Sequence, residues 1–384
     1  MAKQRTHRLE LPEPSLEHLN RLTDDTGLFQ HAKFTVPLRK EGYAADDNAR
    51  ALIVAAKHYA FYRKPRTLQL LDKYLAFLLH ACNDDGSMKN FMNNERTWLK
   101  NEPASDAFGR SIWAFGELLA HTPSESYVPM ARERIDIAMP LVERQSPRSR
   151  ACAILGMAGY LKRFPDADSI RDYIRTTGER FVNQYEDNHQ DDWLWFEDNI
   201  TYDSAMLPCA LFTAAMLLNE NKFLNVARQT CEFLLTNTFT TEHVETAETR
   251  SGAKSPLRKN YKINSASSAV SAVSIGHFSF IGCNGWFPRG GKKAQFDQQP
   301  IEAAGTILML TEAFKATKEK KYLALRQKAF NWFLGENDLG VPLYDSKTKG
   351  CSDGLNAQGI SLNQGAESTL SFLLGLLAMY EGSV

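Results

Sequence analysis

Apolar positions recur along nearly the whole chain with the spacing of an α-helix, and strand-like alternation is confined to short pieces such as His277-Phe278-Ser279-Phe280-Ile281. Twelve helices are predicted, spanning roughly 14–23, 45–63, 66–83, 105–121, 126–143, 147–163, 167–186, 203–218, 222–238, 299–317, 319–335 and 365–382. They are of two kinds. In Ala151-Cys152-Ala153-Ile154-Leu155-Gly156-Met157 and Leu370-Ser371-Phe372-Leu373-Leu374-Gly375-Leu376, apolar and small residues surround most of the helix, which must be buried on nearly all sides. In 66–83 the pattern is one-sided, with Leu68, Leu71, Tyr74, Leu75 and Leu78 interrupted by Gln69, Asp72 and Lys73. Such a helix covers a core with one face and meets water with the other.

The two kinds alternate, and very few residues join each pair, as at Lys64-Pro65 and Lys318. Short connections make antiparallel neighbours. The expected fold is therefore all-α, an (α/α)6 toroid in which six parallel inner helices are ringed by six outer ones. The helix at 14–23 completes the outer ring beside the last helix, and residues 1–384 form one domain. The long connections, roughly 84–104, 187–202, 239–298 and 336–364, all lead from an outer helix to the next inner one, so they gather at the end where the inner helices begin. The polar stretch Glu242–Ser265 reads as a mobile flap over that end.

Composition narrows the chemistry. Lys+Arg and Asp+Glu both number 45, so the net charge is zero, and no basic tract or acidic tail points to nucleic acid or a membrane surface. A neutral ligand is the simplest expectation. No apolar run approaches the roughly 20 residues that span a bilayer. The basic start, Met1 to Arg8, is followed by Leu9-Glu10-Leu11-Pro12 where a signal peptide needs its apolar stretch, which favours a cytoplasmic protein. The six cysteines show no metal-ligand spacing, and Cys82, Cys152, Cys209 and Cys231 lie in or beside helical apolar patterns, as buried free thiols do. No Gly-x-Ser-x-Gly elbow occurs, and Arg289-Gly290-Gly291-Lys292-Lys293 has neither the spacing nor the strand of a phosphate loop. No cofactor or metal is expected.

At the inner-helix starts stand residues that a core would not choose: Asp46-Asp47-Asn48-Ala49-Arg50, Ser105-Asp106-Ala107-Phe108-Gly109-Arg110, Tyr202-Asp203-Ser204, Asp297-Gln298-Gln299-Pro300-Ile301-Glu302 and Asn363-Gln364-Gly365-Ala366-Glu367. The sixth start, Ser146-Pro147-Arg148-Ser149-Arg150, offers arginines and no acid. Capping and the helix dipole account for some of the acids. They do not account for Arg50 and Arg110, cations near helix starts, nor for Glu302 and Glu367 inside apolar helices, where an acid is costly unless it faces a polar cavity. Trp195 and Trp286 lie in the adjoining loops. Aromatic faces beside carboxylates and amides suit sugars, whose rings present C–H faces to stack and hydroxyls to bond. Trp113 and Trp332 read instead as core.

These motifs, with Trp195-Phe196-Glu197-Asp198, resemble the six-hairpin glycosidase superfamily, and in particular a bacterial glycosyltransferase-associated group. The resemblance runs from Leu22-Thr23-Asp24-Asp25-Thr26-Gly27 to Glu367. It implies the (α/α)6 barrel, a sugar site at the inner-helix starts and acid/base carboxylates there. Paired-carboxylate hydrolysis of an oligosaccharide or glycoside, with inversion favoured, is the expected activity. Asp47, Asp106, Asp203, Glu302 and Glu367 are the catalytic candidates, with Asp46, Glu197, Asp297 and Asp353 behind them. Asp46, Arg50, Arg110, Trp195, Tyr202, Trp286, Gln299, Asn363 and Gln364 are the substrate-binding candidates. Three alternatives stay open: a glycan-binding accessory toroid without catalysis, an epimerase using His31, His189 or His277, and a lyase using Tyr43 or Tyr202 with the arginines.

Overall fold

The structure, a computed structural model, describes residues 11–100, 102–122, 124–240 and 276–381. Helix makes up 59% of the described residues, and the strands are isolated two-residue ladders, so helix packing alone organises the chain. The α-helices are α1 (Glu17–Leu22), α2 (Ala45–Tyr62), α3 (Pro65–Ala81), α4 (Ser105–Ala120), α5 (Tyr127–Ala138), α6 (Pro147–Arg163), α7 (Asp168–Asn188), α8 (Met206–Leu218), α9 (Asn221–Thr238), α10 (Pro300–Thr317), α11 (Lys320–Asn331) and α12 (Ala366–Glu381). The expected flap at Glu242–Ser265 lies outside the described residues.

The even-numbered helices form the inner ring: α2 packs on α4, α4 on α6, α6 on α8, α8 on α10, α10 on α12, and α12 back on α2. Outside them, α3, α5, α7, α9 and α11 each pair with the inner helix that precedes them, and α1 packs on α12, closing the outer ring from the other end of the chain. Arg63, Asn219 and Lys318 adopt left-handed φ at the ends of α2, α8 and α10, which stops each helix within one residue and turns the chain back. Pro65, Pro147 and Pro300 then stand in the first turns of their helices, where a missing N–H costs nothing.

Some element ends differ from the sequence expectation, each for a local reason. Helix α8 begins at Met206 rather than 203 because Asp203 takes a φ of 49°. Helix α5 passes into a 3-10 turn over Met139–Arg144, where Pro140 cannot continue the α ladder. Trp113 and Trp332 are core, and all six cysteines are free, Cys82 and Cys283 half-buried and the rest buried. None of the described helices is long and apolar enough to cross a membrane.

Two-residue ladders stitch the loops at the inner-helix starts: Tyr43–Ala44 pairs with Phe91–Met92, and Asn199–Ile200 with Phe287–Pro288. The loop entering α2 is thereby tied to the connection before α4, and the loop entering α8 to the connection before α10.

Glycines set the spacing of α4 and α6. A Cβ on Gly116 would sit 2.0 Å from the Gly156 carbonyl oxygen, and one on Gly156 would sit 2.3 Å from that of Ile112. Both obstacles are backbone, so no rotamer change relieves them. Gly156→Ala is expected to separate the two helices and destabilise the protein by about 1–3 kcal/mol, the cost of overpacking a close-packed site. Urea denaturation measures this, and an unchanged midpoint would show that the helices have room to spare.

Candidate active site

The inner-helix starts meet in one ionic network. Arg50 of α2 donates one nitrogen to Asp47 at 2.8 Å and to Asp46 at 3.4 Å, and the other to Glu367 of α12 at 2.9 Å. Arg110 of α4 donates to Asp203 at 3.0 Å, while its other terminal nitrogen lies 3.3 Å from Asp106 and 3.6 Å from Asp46. Asp46 thus bridges the two guanidinium groups. The Tyr202 hydroxyl donates a short hydrogen bond to Asp106. Glu302 of α10 accepts from the Asp203 backbone N–H at 2.6 Å and from the Ser204 hydroxyl at 3.4 Å. Asp46, Asp47, Arg50, Asp106, Arg110, Tyr202, Asp203, Glu302 and Glu367 are therefore brought together. Both arginines are buried, which is tolerable near positive helix ends only because each is surrounded by acids.

The sixth inner helix takes part through a residue not among the sequence candidates. Arg148 of α6 donates its Nε to the Tyr202 carbonyl at 2.8 Å, one terminal nitrogen to Glu197 at 2.9 Å and the other to the Thr201 hydroxyl at 2.8 Å. It holds the turn that presents Tyr202 and Asp203. The signal in sequence was the Ser-Pro-Arg-Ser-Arg start without an acid; the acid, Glu197, comes from a different loop. Gly305 leaves room on the far side of the turn, since a Cβ there would lie 3.1 Å from the Asp203 carboxylate.

Environment separates the acids. Burial, reinforced by the neighbouring Asp203 charge, pushes Glu302 from its ordinary 4.5 up to about 8, despite the hydrogen bond from the Asp203 N–H. Burial also raises Asp203 against the pull of Arg110, and raises Asp47 strongly with help from Asp46. Asp106 goes the other way: burial opposes its charge, but Arg110 and the Tyr202 hydroxyl outweigh it and hold the carboxyl below the usual range. Tyr202, half-buried beside that charge, is shifted upward and stays a donor. Glu302 is thus largely neutral at pH 7 while Asp106 is ionised. Of the three aspartates, Asp47 and Asp203 are buried, whereas Asp106 is half-buried and keeps its charge through its partners.

The remaining candidates divide. Trp286 is half-buried, with its ring centroid 6.5 Å from that of Tyr202. Gln299 immediately precedes α10 and lines a cavity of about 180 Å³ with Cys283, Asp297, Asp353, Asn356 and Ser361. Trp195 is a correction: it is 0% exposed and packs on Phe196 beneath the loop, so it offers no face to a ligand. A local aromatic cluster signals a hydrophobic anchor as readily as a platform. Gln364 is a second correction, since it is buried and its side chain is taken up by Thr348 and Asp345 rather than by the network. Asn363 accepts from the Phe34 N–H at 2.9 Å and so braces a neighbouring loop. His31 is exposed, His189 stacks on Tyr185, and His277 lies 3.1 Å from Asp338; among the described residues no histidine joins the network.

No family model and no curated protein matches the sequence. Solved structures match the fold over almost the whole chain. A D-mannose isomerase superposes with a TM-score of 0.67 at 10% identity, covering 95% of this chain and 96% of that one. Cellobiose 2-epimerase from Spirochaeta thermophila gives 0.62 at 11% identity, with 94% and 93% covered. The GH76 α-mannanase of Bacteroides thetaiotaomicron gives 0.61 at 11%, with 96% and 95% covered. The chain therefore shares the (α/α)6 toroid fold of these proteins. At these identities the likeness is one of fold, and the chemistry must be argued from the site.

The Glu302 shift carries a consequence for stability. The unfolded chain releases this proton near 4.5 and the folded chain near 8. Between those values the folded state binds more protons, so this group's contribution to stability falls as pH rises. Glu302→Gln cannot ionise. Its melting temperature relative to wild type is expected to rise from pH 5 to about pH 8 and level off above it in thermal denaturation, and a difference independent of pH would contradict the assigned shift.

Proposed function

We propose that the protein is a glycoside hydrolase in which Glu302 is the general acid and Asp106 the base. The observation that carries this reading is the pairing, within one network, of a carboxyl neutral near pH 7 with a carboxylate held ionised. Glu302 gives its proton to the glycosidic oxygen as the bond to the anomeric carbon breaks. A water attacks that carbon and passes its proton to Asp106, leaving a hemiacetal sugar of inverted configuration and a free alcohol. Tyr202 and Arg110 keep Asp106 charged and fix its orientation. Asp46, Asp47, Arg50 and Glu367, joined to them in the same network, offer acceptors and donors to sugar hydroxyls. Carbohydrate as the substrate class is further supported by the fold neighbours, which include a mannanase, a cellulase, a cellobiose 2-epimerase and a D-mannose isomerase.

The isomerase and epimerase neighbours keep a second reading in play, because an acid and a base in one cavity can also move a proton beside a sugar carbonyl. Product analysis separates the two: hydrolysis yields two sugars, isomerisation one.

Replacing Glu302 by Gln or Asp106 by Asn keeps shape and removes the proton chemistry, so turnover of a cleaved aryl glycoside or gluco- or manno-oligosaccharide is expected to fall by ~10²–10⁴ with little change in affinity. The wild-type rate should decline as pH rises through about 8, where Glu302 loses its proton. Stopped assays with NMR of the released anomer measure all three quantities. Wild-type protein that binds these sugars and never cleaves them would overturn the reading.

A further inference from the structure

Six large apolar side chains are exposed among the described residues, and three of them, Phe34 at 51%, Val36 at 65% and Leu362 at 65%, belong to two abutting loops at the rim of the site. Phe34 stands at the tip of the ladder formed by Ala32–Lys33 and Val36–Pro37, with a φ of 56°. Such a tip favours glycine or asparagine, and a bulky side chain there is held against a backbone cost. Both backbone groups of Phe34 are pinned by the loop entering α12: its N–H donates to Asn363 Oδ1 at 2.9 Å, and its carbonyl accepts from the Gln364 N–H at 2.9 Å. The ring is therefore exposed on a fixed support.

This ledge is continuous with the polar cavity. Ser361 lines the cavity, Leu362 follows it on the ledge, and Asn363 holds Phe34. Gly365 marks the junction, since a Cβ there would lie 3.0 Å from Asp353 of the cavity wall and 3.2 Å from the Gln30 carbonyl at the base of the Phe34 loop. The cavity in turn adjoins the network through two helix starts: Gln299 immediately precedes the helix that carries Glu302, and Asp353 accepts from Ser368, next to Glu367. Its lining of carboxylates, amides and a hydroxyl around Leu355 suits a neutral polyol ring.

Resting on the hydrolase reading, we propose that these features form a glycan track and that the substrate is a chain of at least three sugar units. One ring lies at the carboxylates, the next fills the cavity of about 180 Å³, and a third stacks its C–H face on Phe34. Apolar contact with an exposed, pre-positioned ring gives binding without a fixed hydroxyl pattern, which is what the outer part of a chain requires.

The test is calorimetric titration of the full-length Glu302→Gln protein, which does not cleave, with gluco- and manno-oligosaccharides of one to four units. Affinity is expected to rise by about tenfold or more between one and three units. Phe34→Ala should flatten that rise, and Phe34→Trp should keep it, which separates a lost platform from a damaged fold. Chains of two or more units should also slow alkylation of the half-buried Cys283, whose thiol lines the cavity. Tight binding of single sugars with no gain on lengthening, or an unaltered rise in Phe34→Ala, overturns the track while leaving the hydrolase reading in place. No binding at any length overturns both. A dimer in solution that Phe34→Ala dissociates would assign the ledge to a second copy of the chain and likewise overturn it.

Discussion

Two buried arginines hold this end of the toroid together. Arg50 and Arg110 place full positive charges where helix dipoles are already positive, and each would cost several kcal/mol if left alone. Their compensation comes from far along the chain: Glu367 reaches Arg50 across the seam where α12 meets α2, and Asp203 reaches Arg110 from the turn before α8. The network forms only when the ring is closed, and the closed ring would hold unpaired buried charge without the network. Such mutual dependence gives one pre-organised network rather than a set of independent surface ion pairs.

The same arrangement sorts the protons. Glu302 and Asp106 are both carboxyls near the starts of inner helices, yet Glu302 meets a backbone N–H and a neighbouring acid, whereas Asp106 meets a guanidinium and a phenol. One is pushed toward neutrality and the other toward charge. Arg148 makes this possible at one remove, because it anchors the turn from which Tyr202 reaches Asp106 and Asp203 reaches Arg110. An isomerase, an epimerase, a mannanase and a cellulase share this toroid. What distinguishes members of such a fold is the detail of which acids are paired with which cations, together with the loops that extend the site.

Much of this was legible in the amino-acid order because helices are local objects. A 3.6-residue apolar period, a proline in a first turn or a short connection each acts over a few residues, so the twelve helices, their alternation and the common end of the motifs follow from sequence. Being placed near an inner-helix start was enough to bring Asp46, Asp47, Arg50, Asp106, Arg110, Glu302 and Glu367 to one end of the ring. Loop side chains obey no such period. Trp195 turned into the core and Gln364 toward Thr348, while Arg148 found its acid in a loop that no spacing rule connects to it. Which acid stays neutral and which stays charged was also beyond the sequence. A carboxyl's proton affinity depends on burial and on charges brought near it by ring closure, and those distances exist only in the folded chain.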